Sequence, residues 1–166
     1  MRIGLLLLAC LFLIPSCKVR YSFSGGSVPA EADTFSVSYF LVRAPLADPN
    51  YGQQVTEGLK DLLLDQSPLN LADEDGDIHY EGEVTRYEIN PVAASGDEVS
   101  TRNRLTIELK VRYFNKIEPD KDKQLTLRQF EDFDAEDEFA DIEETLLEEI
   151  NTKILQDIYD QTLGDW

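Results

Sequence analysis

The chain has little positive charge, a single histidine, two cysteines and no apolar run long enough to cross a bilayer. Its 15 lysines and arginines stand against 33 aspartates and glutamates, a net charge of −18. A nucleic-acid-binding surface needs a basic footprint that releases counterions, and attachment to anionic lipid by charge needs a basic cluster. The composition argues against both. His79 is the only histidine, so Ser-His-Asp chemistry would have to use it, and no G-x-S-x-G nucleophile elbow is present. The acidic runs do not fit a calcium loop, which needs glycine at its sixth position. Counted from Asp73 that position holds Ile78, and counted from Asp120 it holds Leu125. Both runs read as turns, which Asp and Gly favour. The sequence therefore predicts no catalytic residues, no metal site and no cofactor.

What the N-terminus does have is Met1-Arg2, an apolar stretch from Ile3 to Ile14, then Pro15-Ser16-Cys17. A basic start, about a dozen apolar residues and a small residue form the layout of a secretory signal peptide. A spanning helix needs roughly 20 apolar residues. Ile14-Pro15-Ser16-Cys17 resembles a bacterial lipobox, in which cleavage precedes a lipid-modified cysteine. The alternatives for Cys17 are a disulfide or a free thiol, but Cys10 lies inside the apolar run and would be removed with it. Cys17 is thus the expected lipidation site, with several acyl chains contributing about 0.8 kcal/mol per buried CH₂. Loss of residues 1–16 leaves 150 residues and removes one basic and no acidic side chain, so the mature side chains sum to −19. Lys18-Val19-Arg20-Tyr21 lacks the acidic residues of a surface-export tag, which points to the periplasm-facing side of the outer membrane.

Residues 17–32 form the lipidated start and a Gly- and Ser-rich tether, and 33–166 form a single domain. Thr34 to Phe40 alternates, with Phe35, Val37 and Tyr39 on one face of a strand. Val42 to Tyr51 reads as a loop because of Pro45, Pro49 and Asn50. Val55, Leu59, Leu62 and Leu63 mark a helix over 52–66, stopped by Ser67-Pro68. Ile78, Tyr80, Gly82 and Val84 begin a second strand running to Ile89. Leu105, Ile107, Leu109, Val111 and Tyr113 define the clearest strand, with Thr106, Glu108, Lys110 and Arg112 on its polar face. A fourth strand covers about 124–133. Ile142, Leu146, Ile150, Ile154 and Ile158 stripe a long final helix, with Glu143, Glu144, Glu148 and Glu149 opposite. These glutamates serve either as a docking face or, more commonly, as a solvated one. The order β-α-β-β-β-α predicts an α+β, two-layer sandwich: a mostly antiparallel four-stranded sheet with two helices on one face.

The scarce basic residues are the candidate ligand-binding groups. Arg102 and Arg104 open the third strand, and Arg86, Lys110 and Arg112 lie on the same or neighbouring strands. Gathered at one end of the sheet they would hold an anionic group bidentately. Balanced against cross-strand glutamates they would be structural, which is the commoner use.

A family resemblance rests on an ordered series of segments. Tyr21-Ser-Phe-Ser-Gly-Gly-Ser27 and Thr34-Phe-Ser-Val-Ser-Tyr-Phe40 come first, followed by Leu69-Asn-Leu71 and Tyr80-Glu-Gly-Glu-Val-Thr-Arg-Tyr87. Pro91-Val-Ala93, Asn103-Arg-Leu-Thr-Ile107, Phe130-Glu-Asp-Phe133 and the acidic last helix ending at Trp166 complete it. In this order they resemble the LptE family of lipopolysaccharide-assembly lipoproteins, in its Bacteroidetes branch. The resemblance implies a non-enzymatic α+β sandwich seated in the lumen of a large outer-membrane β-barrel, LptD, assisting its assembly and lipopolysaccharide delivery. It also implies contact with lipopolysaccharide through basic residues. In so acidic a chain that contact requires a local cluster, for which Arg102 and Arg104 are the candidates. The rival expectation is a free-standing periplasmic lipoprotein, either a ligand-binding module or an assembly factor for another secretion pore.

Overall fold

The computed structural model describes residues 28–92 and 102–164. The expectations for the signal segment, Cys17, the tether up to Ser27 and Trp166 fall outside the described residues. Within them, six strands and two long helices follow in the order β1 (Thr34–Val37), β2 (Leu41–Val42), α1 (Tyr51–Gln66), β3 (Asn70–Leu71), β4 (Ile78–Pro91), β5 (Arg102–Asn115), β6 (Lys123–Asp134) and α2 (Phe139–Thr162). One 3-10 turn, Pro119–Lys121, links β5 to β6.

The α+β class and the two helices agree with the sequence reading, but the sheet is not a mostly antiparallel four-stranded one. It is a mixed sheet of six strands in the order β3-β1-β4-β5-β6, with β2 also paired to β4. β1 runs parallel to both β3 and β4, and β2 runs parallel to β4. Only β4-β5-β6 is an antiparallel meander. The cause is α1: a helix between two strands carries the chain back to the sheet's starting end, so the next strand lies parallel. β2 and β3 contain two residues each, too few for alternation to reveal.

Two local irregularities place the core residues. Strict alternation along β4 would put Arg86 and Glu88 on the face of Tyr80 and Val84. A bulge between Val84 and Arg86 shifts the register by one, so Tyr87 joins Val84 in the core and both charges turn to the other face. The edge chain makes a similar excursion. Four steps from Val37 to Leu41 match three from Tyr80 to Glu83. Phe40 is therefore fully buried, while Tyr39, expected on the core face, is 51% exposed. The Phe40 ring occupies the space beside Gly82, where an added Cβ would also stand 2.7 Å from the Lys110 carbonyl oxygen.

Both helices pack on one face of the sheet. Leu105, Ile107, Leu109 and Val111 from β5 meet Val55, Leu59 and Leu63 from α1 and Ile150, Ile154 and Ile158 from α2 in a single core, each such side chain contributing about 1.5–3 kcal/mol by leaving water. Tyrosine hydroxyls fasten the two helices to each other and α2 to the sheet. Tyr51 donates to Asn151 Oδ1 at 2.6 Å, Tyr159 donates to the Gln66 carbonyl at 2.8 Å, Tyr80 and Thr162 share a 2.8 Å bond, and Tyr87 donates to the Glu143 carboxylate. Burial raises the Tyr51, Tyr80 and Tyr87 hydroxyls far above the usual phenol range, so they remain donors.

The start of β1 is held by one carboxylate. Asp77 accepts from the Asp33 and Thr34 backbone N–H groups, both at 3.0 Å, and from the Thr34 hydroxyl at 2.8 Å. These donors hold its carboxyl below the ordinary aspartate range, the Asp33 N–H most of all. Asp77→Ala is expected to lower stability by about 1–2 kcal/mol, discounted for partial solvation of the site. The shift in a urea unfolding midpoint at neutral pH measures it.

Candidate interaction face of the sheet

The face of the sheet turned away from the helices is a ladder of charged and aromatic rows across β4, β5 and β6. The register aligns Glu81-Arg112-Gln124, Glu83-Lys110-Thr126, Arg86-Glu108-Arg128, Glu88-Thr106-Phe130 and Asn90-Arg104-Asp132. Alternation on β5 and β6, and the bulge on β4, put these residues together.

All five candidate basic residues, Arg86, Arg102, Arg104, Lys110 and Arg112, belong to this one face. They do not gather at one end: Arg102 and Arg112 stand ten residues apart on β5, about 34 Å along an antiparallel strand. Arg104 forks onto Asp132, Nε to Oδ1 at 2.6 Å and one NH2 to Oδ2 at 3.0 Å, and its guanidinium lies 3.8 Å from the Phe130 ring centroid. The pair lowers the Asp132 carboxyl and raises the Arg104 guanidinium. Arg102 donates to the Asp132 carbonyl at 3.0 Å. Arg112 pairs with Glu81 and lies 5.8 Å from the Phe114 centroid. Lys110 lines a shallow cleft of about 470 Å³ with Tyr39, Leu41 and Glu83.

The centre of the ladder is Glu108, whose side chain is only 12% exposed. It accepts from Arg128 at 2.6 and 3.1 Å and from the Thr85 hydroxyl at 3.0 Å. Arg86 Nε sits 3.9 Å away, buried and without a hydrogen-bond partner among the described residues, while its NH1 donates to Glu88 at 3.0 Å. The Arg128 hydrogen bond is the main reason the Glu108 carboxyl lies below its ordinary range. Arg128, Phe130 and Phe114 also belong to this face, beyond the five candidate basic residues. Their signal was the alternation of β6 and β5, which sets them on the polar face with the arginines.

His79 is a link between the strands. Its Nδ1 is 2.8 Å from the Ser36 hydroxyl and its Nε2 is 3.2 Å from that of Ser38, and its ring stacks on Phe114 at 6.1 Å. With Ser36 of β1 and Ser38 just after it on the two ring nitrogens, it ties this segment to β4 and leaves no nitrogen for a substrate. Among the described residues, no group of three or more His, Cys, Asp and Glu side chains is arranged to hold a metal ion. On the other layer, Glu143, Glu144 and Glu148 line an open groove of about 1090 Å³ between the helices, with Asp61 and Asp65. Glu143 also receives the Tyr87 hydroxyl, so it is not only a solvated charge.

The family described as LptE, Lipopolysaccharide-assembly, matches residues 32–162. No curated protein sequence matches. Among solved structures, a Xanthomonas campestris protein superposes with a TM-score of 0.56 at 12% identity, covering 86% of this chain and 88% of its own. A hypothetical protein from Chlamydia trachomatis gives 0.53 at 9% identity, covering 79% and 98%. The PelC dodecamer subunit from Paraburkholderia phytofirmans gives 0.51 at 8% identity, covering 84% and 95%. At these identities the structures share the fold.

Proposed function

Because the chain belongs to the LptE lipopolysaccharide-assembly family, we propose that it acts as a lipid-anchored plug and assembly partner of an LptD-like β-barrel. At the family level its role is lipopolysaccharide assembly, without catalysis. Our reading gives it a cleaved signal segment, residues 1–16, and a lipid on Cys17. That lipid places the domain on the periplasm-facing side of the outer membrane. Among the described residues no helix is long and apolar enough to cross a membrane.

The observation that carries the reading is the ion-paired outer sheet face. The interior of a transmembrane barrel is polar, and a domain entering it must not strand unpaired charges. Burying a lone charge is costly, whereas a charge already paired and hydrogen-bonded is far cheaper to desolvate. Arg104-Asp132 and Arg128-Glu108-Arg86 arrive already paired, and Phe130, at 44% exposure, offers apolar area among them. Contact with lipopolysaccharide would have to draw on Arg102, Arg104 or their neighbours, exchanging a present partner, for Arg104 the Asp132 carboxylate, for a phosphate.

The test is affinity purification of the tagged chain from mildly solubilised outer membranes. A large β-barrel recovered at equal stoichiometry supports the plug. A chain recovered alone at native expression level overturns it in favour of a free-standing binding module. Cys17→Ala is expected to move most of the chain from the membrane fraction to the soluble fraction. Full retention in membranes would refute the anchor.

A further inference from the structure

A second candidate surface lies at the open edge of the sheet. β6 is last in the strand order, and among the described residues no strand pairs with its far side. It lacks several of the usual protections of an edge. Its 12 residues, Lys123–Asp134, contain neither proline nor glycine, and its pairing with β5 shows no register shift. Proteins ordinarily blunt such an edge with short length, proline, a bulge or charged side chains, and β6 has only the charges. Here the middle of the edge carries Phe130, one of the few large apolar side chains left exposed.

We propose that β6 pairs antiparallel with β6 of a second copy of this chain, about a two-fold axis through Phe130. A two-fold dimer joined by one strand sets residues equidistant from the axis opposite each other on the same face. With the axis at Phe130, Arg128 of each copy faces Asp132 of the other, and the two Phe130 rings meet at the centre. On the helix-bearing face, Leu127 meets Phe133 and Gln129 meets Glu131. Other axes fail this match. One at Arg128, Glu131 or Asp132 sets like charges against each other, and one at Gln129 sets Leu127 against Glu131. An axis at Leu127 leaves Phe130 opposite Gln124. Arg128 is 56% exposed even while bound to Glu108, so its outward side remains available to a second carboxylate. This pairing belongs to the chain outside any larger assembly.

Cysteine scanning of the full chain, purified in detergent, tests the pairing and its register. Opposed residues on antiparallel strands have Cα atoms about 4.5–5.5 Å apart, within disulfide reach. Phe130→Cys is expected to convert most of the chain to a covalent dimer under mild oxidation. Thr126→Cys alone should stay at the background set by the unsubstituted chain and by Leu46→Cys, at an exposed loop residue, whereas Thr126→Cys combined with Asp134→Cys should cross-link. Sedimentation of the chain with no added cysteine gives an independent readout. Arg128→Asp should weaken self-association at least tenfold, and mixing it with Asp132→Arg should restore a dimer. Phe130→Cys cross-linking no faster than Leu46→Cys overturns the proposal. So does equal cross-linking at positions 126 and 130, which would deny the register.

Discussion

Gly52→Ala is expected to cost about 3 kcal/mol, at the upper end of what overpacking a well-filled interior does. The substitution would ordinarily favour a helix by up to about 1 kcal/mol. Gly52 lies in the first turn of α1, and an added methyl would sit well inside van der Waals contact with the carbonyl oxygen of Phe40, with the Tyr39 hydroxyl and a Val42 methyl each at 3.2 Å. A backbone oxygen cannot rotate away as a side chain can. The contact is also held by hydrogen bonds: the Phe40 N–H donates to Thr56 Oγ1 at 3.0 Å, and that hydroxyl donates to the Gly52 carbonyl at 2.7 Å. Relief requires α1 to lift from the β1-β2 connection, which would break the Thr56 bonds and loosen Tyr51 and Phe40 together. Urea unfolding reads the loss as a lower midpoint with an unchanged slope. A midpoint equal to or above that of the unsubstituted chain would mean that the helix and strand are not in such close contact.

The same corner shows where sequence reading reached its limit. β5 is legible because from Leu105 to Tyr113 every inward residue is apolar or aromatic and every outward one polar, so alternation gives its facing directly. α2 is legible for the analogous reason at a helical period. The edge chain is not, because alternation is counted along one strand and cannot register an extra residue against a neighbour. Phe35 and Val37 fit the count, and Phe40 breaks it because a cleft over Gly82 accepts its ring. β4 hides its bulge likewise, although Arg86 and Glu88 falling on the core side of an unbroken count was a warning. The direction of β1 depended on α1 acting as a crossover, a topological fact outside any single segment. For the candidate site, alternation did place Lys110 and Arg112 on the polar face of β5. What it could not supply was the partner strand's register, and that register decides whether an arginine meets a glutamate or a ligand.

Glu108→Ala should be the most damaging change on the outer face, lowering stability at neutral pH by about 2–3 kcal/mol. Breaking a fully buried pair costs about 3–5 kcal/mol, and the smaller figure allows for Arg128 and Arg86 being 56% and 39% exposed. The loss is larger than for Arg128→Ala, because removing the carboxylate leaves two guanidiniums facing each other across β5, with Arg86 Nε already lacking a hydrogen bond. Glu108→Gln separates charge from volume. Because the folded carboxyl lies below its ordinary value, chiefly through the Arg128 hydrogen bond, its stabilisation is complete above the unfolded pKa of about 4.3. It disappears as pH falls through the lower, folded pKa. The difference in stability between the unsubstituted chain and Glu108→Gln should therefore be constant from neutral pH to about pH 5.5, shrinking below that as the unfolded carboxyl and then the folded one protonate. Asp77 and Asp132 titrate in the same acid range, but they are present in both proteins and largely cancel in the difference. A difference that persists unchanged to the acid limit would show that the row is held by shape and packing, and that the Arg86-Glu108-Arg128 charges contribute little to it.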